Sequence, residues 1–340
     1  MRHELPVTFV VGASRSGTTM LNHILGGNSR VLALNELHFL DRKWSPDEGI
    51  SWDRRQAIDE AARLLAVARR SIWQCIPTRE EFSEAREIID RIGLAKLRPL
   101  DVYDVTLSSM LHESGMSMVI DQTPRNVFLV ADLLGDFPES HAVQIVRDPR
   151  AVIHSQRNRW RQKWLGAGHT PWRRAVANWV NYHPITASKL WLNAYRAGQQ
   201  LLQHSRFTRV KYEDLLMSPD DTVRKLCADL GLEFEASMLD IPQVGSSHRR
   251  HDGPGKGVVR GAADSWRGCQ PHSDTWICQL MTAEARAELG YESIAVGTPI
   301  LGVLVRTLLY PFHLLAMLLV NPRLALRVRS ISKRQSPERR

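Results

Sequence analysis

Two stretches combine residue types and spacings suited to gripping anions. The first is Val7-Thr-Phe-Val-Val-Gly12-Ala-Ser-Arg15-Ser16-Gly17-Thr18-Thr19-Met20-Leu21. A β-branched apolar run ends at a glycine, crosses a short polar loop and opens into a helical pattern. Backbone N–H groups at a helix start lack internal partners and carry partial positive charge, so such a turn suits a phosphate. Gly12 and Gly17 let the backbone approach a ligand, while Ser16, Thr18 and Thr19 offer hydroxyl donors. The two glycines have the spacing of the nucleotide-triphosphate loop G-x-x-x-x-G-K-[ST], but Thr18 stands where that loop needs its phosphate-reaching lysine. Arg15 is the nearest cation. An ordinary strand-to-helix turn rich in small residues is the plainer alternative.

The second stretch starts at His141-Ala-Val-Gln-Ile-Val146, a buried strand by composition, and runs into Arg147-Asp148-Pro149-Arg150 and on to Ser155 and Arg159. Pro149 suits a first helical turn. Ser155 and Arg159, four residues apart, would share one helix face. With Arg147 at the strand end, they could converge on a second anion. The plainer alternative is a solvated basic helix.

Together these two stretches resemble the sulfotransferases that use 3′-phosphoadenosine-5′-phosphosulfate (PAPS). Arg15-Ser16-Gly17-Thr18-Thr19 is similar to their 5′-phosphosulfate loop, and Arg147-Asp148-Pro149-Arg150 continuing to Ser155 is similar to their 3′-phosphate element. The likeness is nearer the carbohydrate, tyrosylprotein and bacterial branches than the cytosolic steroid and phenol branch. It implies PAPS as co-substrate, adenosine 3′,5′-bisphosphate as product and no metal. It also implies roles. Glu36, in Asn35-Glu36-Leu37-His38 after the short strand Val31–Leu34, would deprotonate the acceptor hydroxyl, with His38 the second candidate. Arg15, Ser16, Gly17, Thr18 and Thr19 would hold the phosphosulfate, and Arg147, Ser155 and Arg159 the 3′-phosphate. Tyr212, in a Tyr-Glu-Asp-Leu element, would border the nucleotide. Lys256 and Arg260, in a glycine- and base-rich segment before Trp266, would close over it; a merely solvated basic loop is the alternative there. One departure stands out: Gln122, before Thr123-Pro124, occupies a place where the family often has a lysine. Either Gln122 donates a neutral hydrogen bond or another cation, such as Arg125, takes the part.

The elements that must position these residues read as an α/β fold, a P-loop-like parallel sheet flanked by helices, with helical insertions and an apolar C-terminal helix. Residues 1–297 would form the sulfotransferase domain. A helical insertion at about 44–113 would act as a cover beside the acceptor or play a plain structural role. Trp172 to His204 reads as one long helical segment. Residues 298–340 would form an apolar, membrane-associating segment with a basic tail.

The chain has 340 residues, 43% of them hydrophobic, enough for one large α/β core. Its net charge is +9. Beyond Val320, seven Lys/Arg face Glu338 alone, so +6 of the excess sits in the tail and the body is only mildly basic. That distribution, without an aromatic-rich basic stripe, argues against nucleic acid. Four scattered cysteines lack metal-ligand spacing and fit a reducing compartment. Only six residues precede the first strand, which leads to an expectation of a cytoplasmic enzyme, bacterial by its resemblance and peripheral or monotopic at the inner membrane face. Pro299 to Val320 is long enough to span a bilayer. Arg306 at its middle and Pro311 oppose that, while Arg306, Tyr310 and His313 share one face. A helix lying in an anionic interface fits better, with a core or dimer helix and a single span as alternatives. Expected partners are therefore a hydroxyl-bearing lipid, glycolipid or sugar, a membrane surface and no nucleic acid, with homodimerisation open. Two other classes stay open: a P-loop nucleotide kinase or NTPase, and a non-catalytic membrane-associated adaptor.

Overall fold

A computed structural model describes residues 3–46, 49–70, 75–93, 95–164, 172–241, 257–258, 263–264, 266–297 and 299–321; Lys256 and Arg260 lie outside the described residues. In chain order the elements are β1 (Val7–Gly12), α1 (Thr18–Leu25), β2 (Val31–Ala33), α2 (Leu40–Lys43), α3 (Arg54–Arg70), α4 (Arg79–Ile92), α5 (Pro99–Ser114), β3 (Met118–Asp121), α6 (Val130–Asp136), β4 (His141–Val146), α7 (Pro149–Arg157), α8 (Trp172–Val180), α9 (Pro184–Gln199), β5 (Phe207–Lys211), α10 (Tyr212–Met217), α11 (Pro219–Asp229), α12 (His272–Met281), α13 (Ala283–Glu288) and α14 (Ile300–Val320). They fall into two compact units. The first comprises Met1–Arg147, Asn193–Val244 and Gly255–Ala263, the second Asp148–Leu192, Gly245–Pro254 and Asp264–Arg340.

The first unit is built on a five-stranded sheet of order β2-β3-β1-β4-β5, every pair parallel. All six residues of β1 are buried, as an uninterrupted apolar run in a parallel sheet requires. Alternate side chains go to opposite faces. Val7, Phe9 and Val11 join one core cluster and Val10 the other. On the Phe9 side pack Ala57, Ala61, Leu64 and Leu65 of α3, Ile88 of α4 and Tyr103 of α5, so the expected insertion is part of the sheet's core. Thr78 opens α4 with a capping box, its hydroxyl accepting from Glu81 N (3.3 Å) and Glu81 accepting from Thr78 N (2.9 Å). On the Val10 side pack Leu21, Ile24 and Leu25 of α1 with Tyr212, Leu215 and Leu226.

Because the strands are parallel, their carboxyl ends share one edge. The registers align Gly12 with Ile145, Ala33 with Ile120 and Val146 with Lys211. The chain leaves β1 toward β2 and later returns to its other side at β4, so the order reverses between β1 and β4. Ligand sites in open α/β sheets form at such a switch point, beyond the carboxyl ends.

In the second unit, Asp148 caps α7, accepting from Arg150 N at 2.8 Å, and Pro149 occupies the first turn. The helix closes at Arg157, so Arg159 falls in the 3-10 turn Arg159–Trp164 and not on the face that the four-residue spacing from Ser155 predicts. The segment expected as one helix from Trp172 is two, α8 and α9, separated at Asn181–His183. Pro184 is the cause: it disfavours helical geometry in the residue before it and supplies no N–H. In contrast, α14 runs without a break through Pro311.

Candidate active site

The loop leaving β1 is held in a shape that needs glycine. Gly12 and Gly17 have φ of 149° and 106°. A Cβ on Gly12 would collide with the Ile145 carbonyl, and one on Gly17 would sit 2.5 Å from the Tyr212 ring. Arg15 also has a positive φ, 77°, a costly conformation that persists where surroundings over-determine it. Gly17 is the N-cap of α1 and no side chain caps that helix start. Ser16 is fully buried beside it, and its hydroxyl finds no partner among the described residues. Buried hydroxyls are normally satisfied; an orphan one at an uncapped helix start fits an anionic group such as the phosphosulfate of PAPS. Thr18 is buried and Thr19 exposed.

The other candidates of the first unit line up on the same sheet edge. Glu36 follows β2, Gln122 follows β3, the loop follows β1, Arg147 follows β4 and Tyr212 follows β5. Gln122, 3% exposed, donates from its amide nitrogen to Thr18 Oγ1 (3.1 Å) and to Glu36 Oε1 (3.2 Å). It therefore ties the carboxylate to the anion loop. The Tyr212 ring lies against Gly17 on one side and carries the Arg147 guanidinium 4.1 Å from its centroid, a cation–π contact that holds the cation near the loop.

Glu36 has a second anchor. His38 Nε2 lies 3.1 Å from Glu36 Oε2, and His38 Nδ1 lies 3.4 Å from Asp41 Oδ1. Arg125 Nε is 3.4 Å from Asp41 Oδ2, so Arg125 serves Asp41. Burial alone would lower the His38 pKa, but hydrogen bonds and charge from Asp41 and Glu36 outweigh it and raise the group to about 9. His38 is thus a cation at neutral pH. Its backbone is strained as well, with φ 49°, and its N–H donates to Thr123 Oγ1 at 3.3 Å. Thr123 Oγ1 donates to Asp121 Oδ1 (2.5 Å), while Tyr103 and Asn126 donate to Asp121 Oδ2 (2.9 and 3.1 Å). Burial pushes the Asp121 carboxyl up to about 6 against the hydrogen bonds from Thr123 and Tyr103. Asp41, Tyr103 and Asp121 are not legible as site residues in the sequence. The one available signal was an acid directly before Gln122 at a strand end.

In the second unit, Ser155 is buried on α7. Arg150, beside it in the motif, is a structural strut. It is 2% exposed, paired with Asp148 at 2.6 Å, donates to Gln279 Oε1 (2.8 Å) and the Glu292 carbonyl (2.7 Å), and stacks over Trp266 at 5.0 Å. Trp266, expected to follow a nucleotide-closing loop, is 2% exposed. Among the described residues no group of three or more His, Cys, Asp or Glu could hold a metal ion.

Residues 6–236 match the sequence profile of the sulfotransferase family. The chain belongs to that family. This sulfotransferase-family chain is 24% identical over 302 residues to the nodulation protein NoeE of Sinorhizobium fredii, covering 84% of the chain and 66% of NoeE. It is also 24% identical over 279 residues to the omega-hydroxy-beta-dihydromenaquinone-9 sulfotransferase Stf3 of Mycobacterium tuberculosis, covering 72% and 67%. It thus spans about two thirds of the length of these relatives. Among solved structures, the sulfotransferase domain of the Synechococcus PCC 7002 olefin synthase superposes with a TM-score of 0.56 at 20% identity, covering 86% of this chain and 98% of that one. That likeness establishes the sulfotransferase fold, a parallel sheet flanked by helices, and α14 is the apolar C-terminal helix expected from the sequence.

Proposed function

We propose that this protein moves the sulfuryl group from PAPS to the hydroxyl of an amphipathic acceptor, a lipid or glycolipid, at the inner face of a membrane. The observation that carries the reading is the hydrogen-bonded row Glu36–Gln122–Thr18, which sets a carboxylate beside an anion-binding loop at the switch point of the sheet. When bound, PAPS supplies an activated S–O bond. The chain's residues do the rest. Glu36 takes the acceptor proton as the acceptor oxygen bonds to sulfur and the bond from sulfur to the 5′-phosphate oxygen breaks. Arg15, Ser16, Gly17, Thr18 and Thr19 hold the phosphosulfate and stabilise charge gathering on the leaving phosphate. Arg147, seated on Tyr212, meets the nucleotide at the end of β4. By continuity with the family motif, Ser155 completes the grip on the 3′-phosphate, with Lys256 and Arg260 as further nucleotide contacts. Gln122 supplies a neutral donor where the family often has a lysine, and His38 holds Glu36 in place.

The name of Stf3, whose acceptor is a hydroxylated menaquinone, supports an apolar alcohol, as does the apolar α14. Incubation of the protein with sulfur-labelled PAPS and a membrane lipid extract should yield a lipid product heavier by one sulfate. Adenosine 3′,5′-bisphosphate should bind by calorimetry. Magnesium-dependent ATP hydrolysis would favour an NTPase instead, and failure to bind the bisphosphate would favour an adaptor that kept the fold.

A further inference from the structure

The polarity of α14 is inverted relative to a helix that packs on a soluble core. It is the one helix, among the described residues, long and apolar enough to cross a membrane, and none of its residues is buried. The face it turns to its own unit carries Gly302, Arg306, Tyr310 and His313 beside the half-buried Val303, Leu314, Met317 and Leu318. Arg306 Nε is 3.1 Å from Asp274 Oδ1, whose side chain is fully buried and whose other oxygen accepts from Tyr182 OH at 2.8 Å. His183 Nε2 lies 3.2 Å from the Arg306 carbonyl, and its ring packs on Tyr310 and His313 at 4.8 Å each. Asn321 donates to Asn181 Oδ1 at 2.7 Å, and Gly302 lies close against Ser273. Six large apolar residues point outward: Leu301, Leu304, Leu308, Phe312, Leu315 and Leu319 are 52–76% exposed. Against α14 packs α8, which exposes Trp172, Val176 and Trp179 at i, i+4 and i+7. Patches of this kind on a soluble surface mark an interaction site.

We infer that α14 and α8 form a monotopic docking face for an anionic phospholipid surface, with α14 lying in the plane of the interface. This rests on the membrane-associated reading above and specifies its surface, geometry and lipid charge. The occupant follows from three features. Residues after Asn321 carry seven Lys/Arg against Glu338 alone, and each basic residue near an anionic leaflet adds attraction. Two exposed tryptophans suit the headgroup depth, where amphipathic rings concentrate. The pairing of Arg306 with buried Asp274 excludes a span. A spanning α14 would have to leave its unit, carry Arg306 into hydrocarbon and strip a buried carboxylate of its partner. With its polar side held, the helix has only its apolar side to give to lipid, as an interfacial helix does.

The test is co-sedimentation of the full chain with vesicles of phosphatidylcholine alone or mixed with phosphatidylglycerol. The wild type should bind the mixed vesicles, release in alkaline carbonate and weaken as salt rises. The double variant Leu308→Glu, Phe312→Glu, at positions 70% and 69% exposed, should lose about tenfold or more in partition, as should Trp172→Ser with Trp179→Ser. Bisphosphate binding in all of them should stay at the wild-type level, which shows that they are folded. Equal partition of variant and wild type would overturn the docking face. So would indifference to lipid charge, resistance to carbonate, or a dimer in solution that the double variant converts to monomer. Loss of sulfation with vesicle binding intact would sink the proposed chemistry and leave this face standing.

Discussion

Glu36 alone is an unremarked carboxylate in a loop; what suits it to the proposed role of base is its company. Gln122 fixes one oxygen and His38 the other. For Glu36→Gln, turnover should fall about 10²- to 10⁴-fold, with bisphosphate affinity within error of wild type by calorimetry. The imidazolium of His38 makes a separate prediction. Its folded pKa is raised above the unfolded value, so the stability it contributes is complete below about 6.5 and lost as pH rises through about 9. The melting-temperature difference between wild type and His38→Asn should therefore shrink steadily between pH 6.5 and 9.5. The kcat of wild type should show a descending limb near 9 that the variant lacks. A pH-independent difference would place the role of His38 outside the charge network.

Helix starts and strand ends set the positions of these groups. Gly17 closes the loop and opens α1 with φ 106°, its Cα facing the Tyr212 ring. Gly17→Ala should impose backbone strain of about 1–3 kcal/mol and push Tyr212 out of contact. The measurable result is weaker bisphosphate binding together with a lower melting temperature. At the start of α7, Asp148 pairs with an Arg150 that is almost fully buried. Asp148→Ala leaves that guanidinium buried without its counter-ion, and denaturant titration should show destabilisation of about 3–5 kcal/mol. Asp148→Asn, which keeps the cap, should recover part of it. These outcomes separate Arg147, whose contact is with Tyr212, from Arg150, whose contacts are structural, although the two look alike in the motif.

For the chain as a whole, charge is unevenly divided: of the net +9, residues beyond Val320 hold +6. A chain ending at Asn321 should keep bisphosphate binding and lose most of the salt dependence of its attachment to anionic vesicles, because the apolar face alone responds little to screening. Retained salt dependence in that variant would move the electrostatic contribution to the body. All four cysteines are free, so reductant should leave the melting curve unchanged.

Local patterns carried much of this. The apolar run Val7–Val11, the glycine spacing of the loop, Pro149 after Asp148 and the 21-residue apolar helix are written in neighbouring residues, since strand burial, turn conformation and helix capping depend on short-range geometry. From them follow the α/β class, the glycine-dependent shape of the loop and the family. Other facts belong to contacts that no periodicity encodes. Gln122 meets Thr18 across 104 residues of chain, and Tyr103 meets Asp121 from another element. The charge of His38 comes from two carboxylates brought to one imidazole. The break before Pro184, the 3-10 placement of Arg159 and the structural duty of Arg150 also emerged only with the packed chain. Which side of α14 faces outward was decided in the same way. A sequence shows that a helix has two faces, but the partners awaiting each face, Asp274 and His183 here, are set by folding.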